Sequence, residues 1–447
     1  MKVIVLVKTL GMCSISALIF SLLPGDLAQA SDQIPARAQD HPIAIAGATI
    51  HPVSGPIIER GTILFDKGKI VALGSGLTLP PNVEVIDAAG KHVYPGLISP
   101  DTYIGLVEIE AVRATRDNVE TGSINPNVRA EAAVNPESDL IPVARANGIT
   151  TVVSAPSGSL IAGTSALLML DGWTWEEMTL KAPLAMNVYW PRMNIIKAWW
   201  MRQSEEEQKK ERDARLKELA NAFRDARAYM TAKKAETEKG LPYHNTDLRW
   251  EALIPVLEGR LPVVVWADDI QQIEAAVAWA EREKIRMIIG GGQDAWRVAD
   301  LLKHNAIPVL AGAIYRLPDR RFEEYDEPLI LPLKLYQAGI PFAIITQGEA
   351  SNERNLPYQA ATAAAYGLPK EEALKAITLS PAQIFGVADR IGSLEVGKDA
   401  TLIITTGDPL EIESNVVLEF IQGKKIDLSS RHTKLYEKYL EKYRRMK

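Results

Sequence analysis

The sequence of 447 residues is poor in the two side chains that most often bind transition metals. It has one cysteine, Cys13, so it can form neither an intramolecular disulfide nor a cysteine-based zinc or iron–sulfur site. Its few histidines are scattered along the chain. They are His41, His51, His92, His244, His304 and His432.

Long apolar runs and an excess of basic charge are also lacking. Beyond the N-terminus, no apolar stretch approaches the ~20 residues that a membrane-spanning helix needs. The formal net charge of −6 predicts no broad nucleic-acid surface. Hydrophobic residues make up 47% of the chain and charged residues 24%, which is ordinary for a globular protein and argues against global disorder.

The first thirty residues are typical of a secretory signal peptide. Two lysines, Lys2 and Lys8, precede an almost wholly apolar run from Leu10 to Leu23. An A-x-A pattern ends at Ala30 and is followed by the polar Ser31. We expect residues 1–30 to be removed, leaving a secreted or periplasmic protein without cysteine. An uncleaved membrane anchor is the alternative, although the run is shorter than a bilayer requires.

Short strands at both ends of the remaining chain enclose a long region of alternating strands and helices. Residues 42–90 and 393–426 contain short apolar runs separated by glycine-containing turns, which predicts a small β-structure. Between them, runs such as Val263–Trp266 alternate with helical patterns, as in βαβ units. Residues 91–392 suffice for a (β/α)8 TIM barrel, typically ~250 residues, with an insertion. The predicted fold class is α/β.

Two charged segments interrupt or follow this pattern. The insertion near 200–240 is densely charged and carries a thin apolar stripe, which predicts a long solvated helix, or alternatively a lid or partner surface. The tail 431–447 places Leu435, Tyr439 and Tyr443 at helical spacing among basic residues. It predicts a docked amphipathic helix.

Two distant segments resemble motifs of the amidohydrolase superfamily. Lys91–Ile98, which includes Pro-Gly-Leu-Ile, is similar to the first barrel strand of that superfamily. Gly392–Glu395, Gly397–Ala400 and Gly407–Leu410 are similar to its C-terminal signature, a β return followed by Asp-Pro. The pattern most resembles the imidazolonepropionase-related subgroup. The resemblance implies a barrel beside a composite β-sandwich formed by 42–90 and 393–426.

The same resemblance implies a metal-dependent hydrolase of non-peptide C–N bonds in a small molecule. Its ligands would be a His-x-His on strand 1, often a carboxylated lysine on strand 4, histidines on strands 5 and 6, and an aspartate on strand 8. Here the strand 1 positions are Asp101-Thr102-Tyr103, the strand 5 position is Trp266, and strand 6 runs into Gly290–Gly292. Gln347–Glu349 follows strand 8.

The histidine content limits how far this chemistry can apply. At most one histidine, His244, could reach the barrel mouth, whereas the usual ligand set needs four. We therefore expect a degenerate metal site and altered or lost activity, without a binuclear metal centre of the usual kind. Carboxylates at the strand ends could still hold a weakly bound divalent cation such as Mg²⁺, Mn²⁺ or Ca²⁺.

Four residues are candidate catalytic groups because we expect them at the C-terminal ends of barrel strands, where this fold places active sites. They are Asp101, Tyr103, Asp268 and Glu349. Asp268 and its neighbour Asp269 precede a helix and could instead cap it. Arg113 and Arg116 follow strand 1 and are candidate ligand-binding residues for an anionic group, unless they form internal salt bridges.

Two classes of function remain open at this point. The chain is either a hydrolase with a rearranged centre or a non-catalytic barrel that binds a ligand or partner in the periplasm. In both cases we expect a small-molecule ligand or substrate, no nucleic acid, and no stable membrane span after signal cleavage. The sequence does not decide between a monomer and an oligomer.

Export generates the first testable prediction. Mass spectrometry of the exported protein should show Ser31 or a neighbouring residue at the N-terminus, because the A-x-A pattern ends at Ala30. A chain that retains Met1 in a cytoplasmic fraction would contradict it.

Overall fold

The computed structural model describes residues 33–158, 160–240, 245–312, 314–346 and 350–446. The predicted signal peptide, residues 1–30, lies outside the described residues. Within the described ranges, no helix combines the length and apolarity needed to cross a membrane.

The described residues form sixteen strands in two sheets. In chain order they are β1 (Ile43–Ile50), β2 (Ile58–Asp66), β3 (Lys69–Gly74), β4 (Glu84–Asp87), β5 (His92–Pro95), β6 (Leu97–Thr102), β7 (Ile149–Ser154), β8 (Ile161–Met169), β9 (Thr179–Tyr189), β10 (Val263–Ala267), β11 (Met287–Gly291), β12 (Val309–Ala311), β13 (Phe342–Ile344), β14 (Leu402–Thr405), β15 (Val416–Ile421) and β16 (Lys424–Lys425).

Eleven α-helices are described along the same ranges. They are α1 (Leu140–Arg145), α2 (Trp175–Met178), α3 (Glu205–Lys239), α4 (Leu248–Leu257), α5 (Ile270–Glu283), α6 (Ala299–His304), α7 (Glu327–Gln337), α8 (Leu356–Ala365), α9 (Lys370–Lys375), α10 (Leu379–Ile384) and α11 (Arg431–Arg444). Short 3-10 helices cover Arg113–Thr115, Ala130–Ala133, Ala295–Val298 and Ala350–Asn355.

The first sheet unites strands from both ends of the chain. Its order is β16-β15-β14-β5-β1-β2-β3, and β4 also pairs with β1. The two ends meet where β5 pairs antiparallel with β14, with Val93 opposite Ile404. Phe65 and Phe420 pack edge to face in its core, with ring centroids 5.0 Å apart. The expected β-sandwich is not confirmed, because both segments join one hydrogen-bonded sheet.

The second sheet is a nearly closed barrel in the order β13-β12-β11-β10-β9-β8-β7-β6. Residues 376 and 377 join its first and last strands. The Ile98 N–H donates to the Ile377 carbonyl at 2.8 Å, and the Ile344 N–H donates to the Ala376 carbonyl at 3.0 Å. The α/β class and the barrel predicted from the sequence are thereby confirmed.

One barrel strand departs from the parallel arrangement expected of a (β/α)8 barrel. β8 runs antiparallel to both β7 and β9. The connections on its two sides, 155–160 and 170–178, are shorter than the dozen or more residues that a parallel crossover requires. Every residue of β8 is buried, so it belongs to the barrel wall.

The charged insertion is one long helix, α3, that packs through a narrow stripe. Ser204 caps it in a capping box with Glu207, and Gly240 ends it in the left-handed conformation. Buried Phe223 meets Trp279 of α5 edge to face at 5.0 Å. The remaining surface of the helix is largely exposed, as its charge predicts.

The loop after β6 lies along β8 and depends on a glycine for this contact. The Thr164 N–H donates to the Val128 carbonyl at 2.8 Å. Gly163 has φ +124, and a Cβ at this position would lie 2.6 Å from the same carbonyl oxygen. Only glycine accepts this approach without strain.

We therefore predict that Gly163→Ala destabilises the protein by at least about 2 kcal/mol, because it combines an unfavourable φ with a backbone clash. Chemical denaturation measures the effect. Gly55→Ala is the control, since no atom lies within 4 Å of its Cβ position. Equal stability of the two variants would contradict the prediction.

Candidate functional site at the barrel mouth

Polar and aromatic side chains converge where the barrel strands end. Asp101 lies near the end of β6, Tyr103 directly follows that strand, and Tyr189 is the last residue of β9. Asp268 directly follows β10, and Glu353 lies on the 3-10 helix after β13. The structure thus brings together the sequence-predicted Asp101 and Tyr103. Glu353 and Tyr189 were not predicted.

The carboxyl groups of Asp101 and Glu353 are buried near each other. Asp101 is 5% exposed and Glu353 is 0% exposed. Burial raises the pKa of Asp101 well above its usual value, and the neighbouring charge of Glu353 adds to the increase. Burial therefore favours the protonated form of Asp101.

Glu353 titrates close to neutral pH. Burial raises its pKa to about 7, although the nearby hydroxyl groups of Ser99, Thr102 and Thr346 oppose the increase. The Thr346 hydroxyl donates to Oε2 at 2.8 Å. The other oxygen, Oε1, is buried without a hydrogen-bond partner in the described part of the chain. A carboxyl poised near pH 7 is suited to proton transfer.

Three aromatic side chains form the neighbouring wall of the mouth. Hydrogen bonds link Tyr103 to Ser157 and Tyr189, and burial raises the Tyr103 pKa. Tyr189 stacks on Trp266, with ring centroids 5.7 Å apart and an interplanar angle of 12°. The Trp266 Nε1–H is buried and has no partner among the described residues.

Two glycines of β11 make room for the end of β10. A Cβ on Gly290 would lie 2.7 Å from the Trp266 ring, and a Cβ on Gly291 would collide with the Asp268 carboxylate. Side chains larger than hydrogen at these positions are thus incompatible with the observed Trp266 and Asp268.

The sequence left open whether Asp268 and Asp269 cap a helix or act in the site, and the structure shows that the two residues differ. Asp269 caps α5, accepting the Gln272 N–H at 3.0 Å. Asp268 does not cap that helix. Burial raises its pKa to about 6, while the Gln293 N–H and the Arg316 guanidinium oppose the increase. It remains a candidate site residue.

The two predicted ligand-binding arginines lie on the surface. Arg113 and Arg116 are both exposed, and Arg113 donates to the Arg116 carbonyl at 3.2 Å. Within the described ranges, neither forms an internal salt bridge. Their role in ligand binding stays a prediction.

Two predicted residues lie outside the described residues, namely Glu349 and His244. The missed Glu353 is only four positions beyond Glu349. A second acid in the segment after strand 8 was the signal that could have indicated it.

The described histidines lie away from the mouth. His41 contacts Asp40 and Glu84 at the surface. His51 and His92 stack with Tyr94 in the first sheet. His304 ends α6 and His432 lies on α11; across the described ranges, no three His, Cys, Asp or Glu side chains are placed to hold a metal ion.

Comparison with known proteins identifies related sequences and folds. Residues 328–426 match the sequence profile of the Amidohydrolase family. The chain is 22% identical over 394 residues to "Amidohydrolase tasK" of Hapsidospora irregularis, covering 81% of this chain and 39% of the relative. It is 32% identical over 92 residues to "Dihydroorotase" of Mycobacterium tuberculosis, covering 21% and 20% of the two chains. The chain thus spans well under half the length of these curated relatives.

A solved structure extends the similarity to nearly the whole chain. An amidohydrolase from Thermotoga maritima superposes with a TM-score of 0.77 at 26% identity. The alignment covers 86% of this chain and 99% of the other. The similarity therefore includes both the barrel and the sheet beside it.

The Glu353 environment predicts how stability depends on pH. Its pKa is raised from 4.5 to about 7 on folding, so the contribution to stability is complete below pH 4.5 and is lost as the pH rises to about 7. Glu353→Gln removes this loss and should stabilise the protein at pH 8 by up to about 3 kcal/mol. Unfolding measured from pH 4 to 8 tests this.

The exposed Glu371→Gln is the matched control and should retain the pH profile of the unmodified protein. A Glu353→Gln variant that is less stable at pH 8 would show that the ionised carboxylate contributes favourably to the fold.

Proposed function

Because the chain belongs to the amidohydrolase superfamily, we propose that the mouth of its barrel binds a small amide-like molecule while the metal-dependent hydrolysis of the superfamily is altered or lost. The relatives named above are amidohydrolases and a dihydroorotase. They suggest a ligand that contains a non-peptide C–N bond.

The observation that carries the proposal is the identity of the residues at the expected metal-ligand positions. The resemblance implies histidines on strands 5 and 6, but Trp266 stands at the strand 5 position and strand 6 runs into Gly290–Gly292. The Trp266 ring also occupies the space that a side chain at 290 would need. The described residues do not fit a histidine-based metal centre.

The same residues can hold a planar polar ligand. In its protonated form, which burial favours, Asp101 can donate a hydrogen bond to a carbonyl oxygen. The unpaired Nε1–H of Trp266 is a further donor. Apolar walls with a few converging polar groups are typical of small-molecule sites.

A second candidate function is hydrolysis by the two acids without that metal centre. It is favoured by the pKa of Glu353, which burial raises to about 7, beside Asp101, whose pKa burial also raises. Glu353 would accept a proton from an attacking water, and Asp101 would donate one to the departing nitrogen.

The location of the protein is part of the proposal. The basic and apolar N-terminal segment with its A-x-A pattern supports export and a secreted or periplasmic protein. Any divalent cation would be weakly held by carboxylates.

Substitutions at Asp101 distinguish the two candidates. If Asp101 only donates a hydrogen bond, Asp101→Asn should retain ligand binding and Asp101→Ala should weaken it about tenfold, as expected for one lost hydrogen bond. If Asp101 is a general acid, Asp101→Asn should also abolish turnover. Calorimetry and turnover assays on cyclic amides, dipeptides and lactones, with and without Mn²⁺ or Zn²⁺, measure both.

The exposed Asp300→Ala on α6 is the control and should change neither measurement. Metal analysis of the purified protein should give well under one zinc per chain. Close to two zinc ions per chain, with metal-dependent turnover, would overturn the proposal and restore the usual hydrolase mechanism.

A further inference from the structure

The C-terminal helix α11 exposes an apolar face that the sequence predicted to be docked. None of its residues is buried, and Leu440 is the most sheltered of them. Tyr436 is 68% exposed, Tyr439 is 50% exposed and Tyr443 is 60% exposed. At 3.6 residues per turn these side chains share one side of the helix with Leu435.

The helix is formed and attached at its N-terminal end without this face being covered. Ser430 is buried and caps the helix in a capping box with Thr433. Arg431 lies 3.7 Å from Asp139, just before α1. The apolar side is therefore exposed on an ordered helix.

Outside the tyrosine side the helix is strongly basic although the chain as a whole is acidic, and the Lys442 ammonium borders that side, 5.9 Å and 5.8 Å from the ring centroids of Tyr439 and Tyr443. Two acids, Glu437 and Glu441, stand against a larger set of bases. The bases are Arg431, Lys434, Lys438, Lys442, Arg444 and Arg445. The formal net charge of the whole chain is −6, so this helix concentrates positive charge locally.

We propose that α11 binds flat on an anionic lipid surface. Tyrosine prefers the boundary between headgroups and acyl chains, where its ring is in an apolar layer and its hydroxyl remains hydrated. Lysine and arginine on the rest of the helix are attracted to anionic headgroups. Apolar and basic sides on one exposed helix are the features of interfacial helices.

Charge complementarity favours lipid over a second copy of the chain. Two copies of α11 packed face to face would bring their basic flanks together, and like charges in contact disfavour association. An anionic bilayer can accept the tyrosine side at its headgroup boundary and attract the basic residues with its headgroup charge.

Vesicle binding by the full-length protein tests the proposal. We expect it to co-sediment with vesicles of phosphatidylglycerol and phosphatidylcholine, far less with phosphatidylcholine alone, and less as salt increases. A double variant, Lys438→Glu with Lys442→Glu, should bind the anionic vesicles at least tenfold more weakly. Tyr439→Ser with Tyr443→Ser should also weaken binding.

The matched control places the same charge change on α3, as Lys209→Glu with Lys210→Glu at two exposed positions. It should bind like the unmodified protein. Because all variants share the apolar N-terminal segment, differences among them report on α11. Equal binding by both lysine variants would overturn the proposal. So would concentration-dependent dimerisation that is lost in the tyrosine variant without any vesicle binding.

Discussion

The closure of the barrel through residues 376 and 377 determines what the site can contain. The Ile377 carbonyl holds β6 through the Ile98 N–H, and the Ala376 carbonyl holds β13 through the Ile344 N–H. The first and last strands of the barrel are far apart in the chain. Joining them brings Asp101, near the end of β6, beside Glu353, which follows β13. The acid pair at the mouth is thus a consequence of long-range hydrogen bonding.

Bringing these two acids together has an energetic cost that the fold must offset. Neither carboxyl is compensated by a described cation, so burial raises the pKa of Asp101 well above its usual value and raises the pKa of Glu353 to about 7. The same groups in water would be ionised and would favour the unfolded chain as the pH rises. Perturbed acids of this kind concentrate at functional sites, which supports a role for the mouth.

Some of this arrangement could be predicted from the sequence, and the reason for each success or failure is physical. The alternation of strand and helix patterns and the two terminal motifs predicted the barrel and the pairing of both chain ends. The antiparallel β8 could not be predicted, because a buried apolar run is equally compatible with either strand direction. Glu353 was missed because a 3-10 turn, rather than the strand itself, carries it into the site. Asp101 was predicted because the end of a strand can be recognised from the local sequence.

Helices α3 and α11 show that the sequence pattern of a helix does not reveal whether its apolar side is covered. Both are charged and both begin with a capping box that their sequences specify. Phe223 gives α3 an internal partner in Trp279, whereas the tyrosines of α11 remain exposed. Periodicity indicates which side of a helix avoids water, but only the folded chain shows whether a protein surface covers that side. Where none does, the charge of the rest of the helix becomes the best guide to what the helix binds.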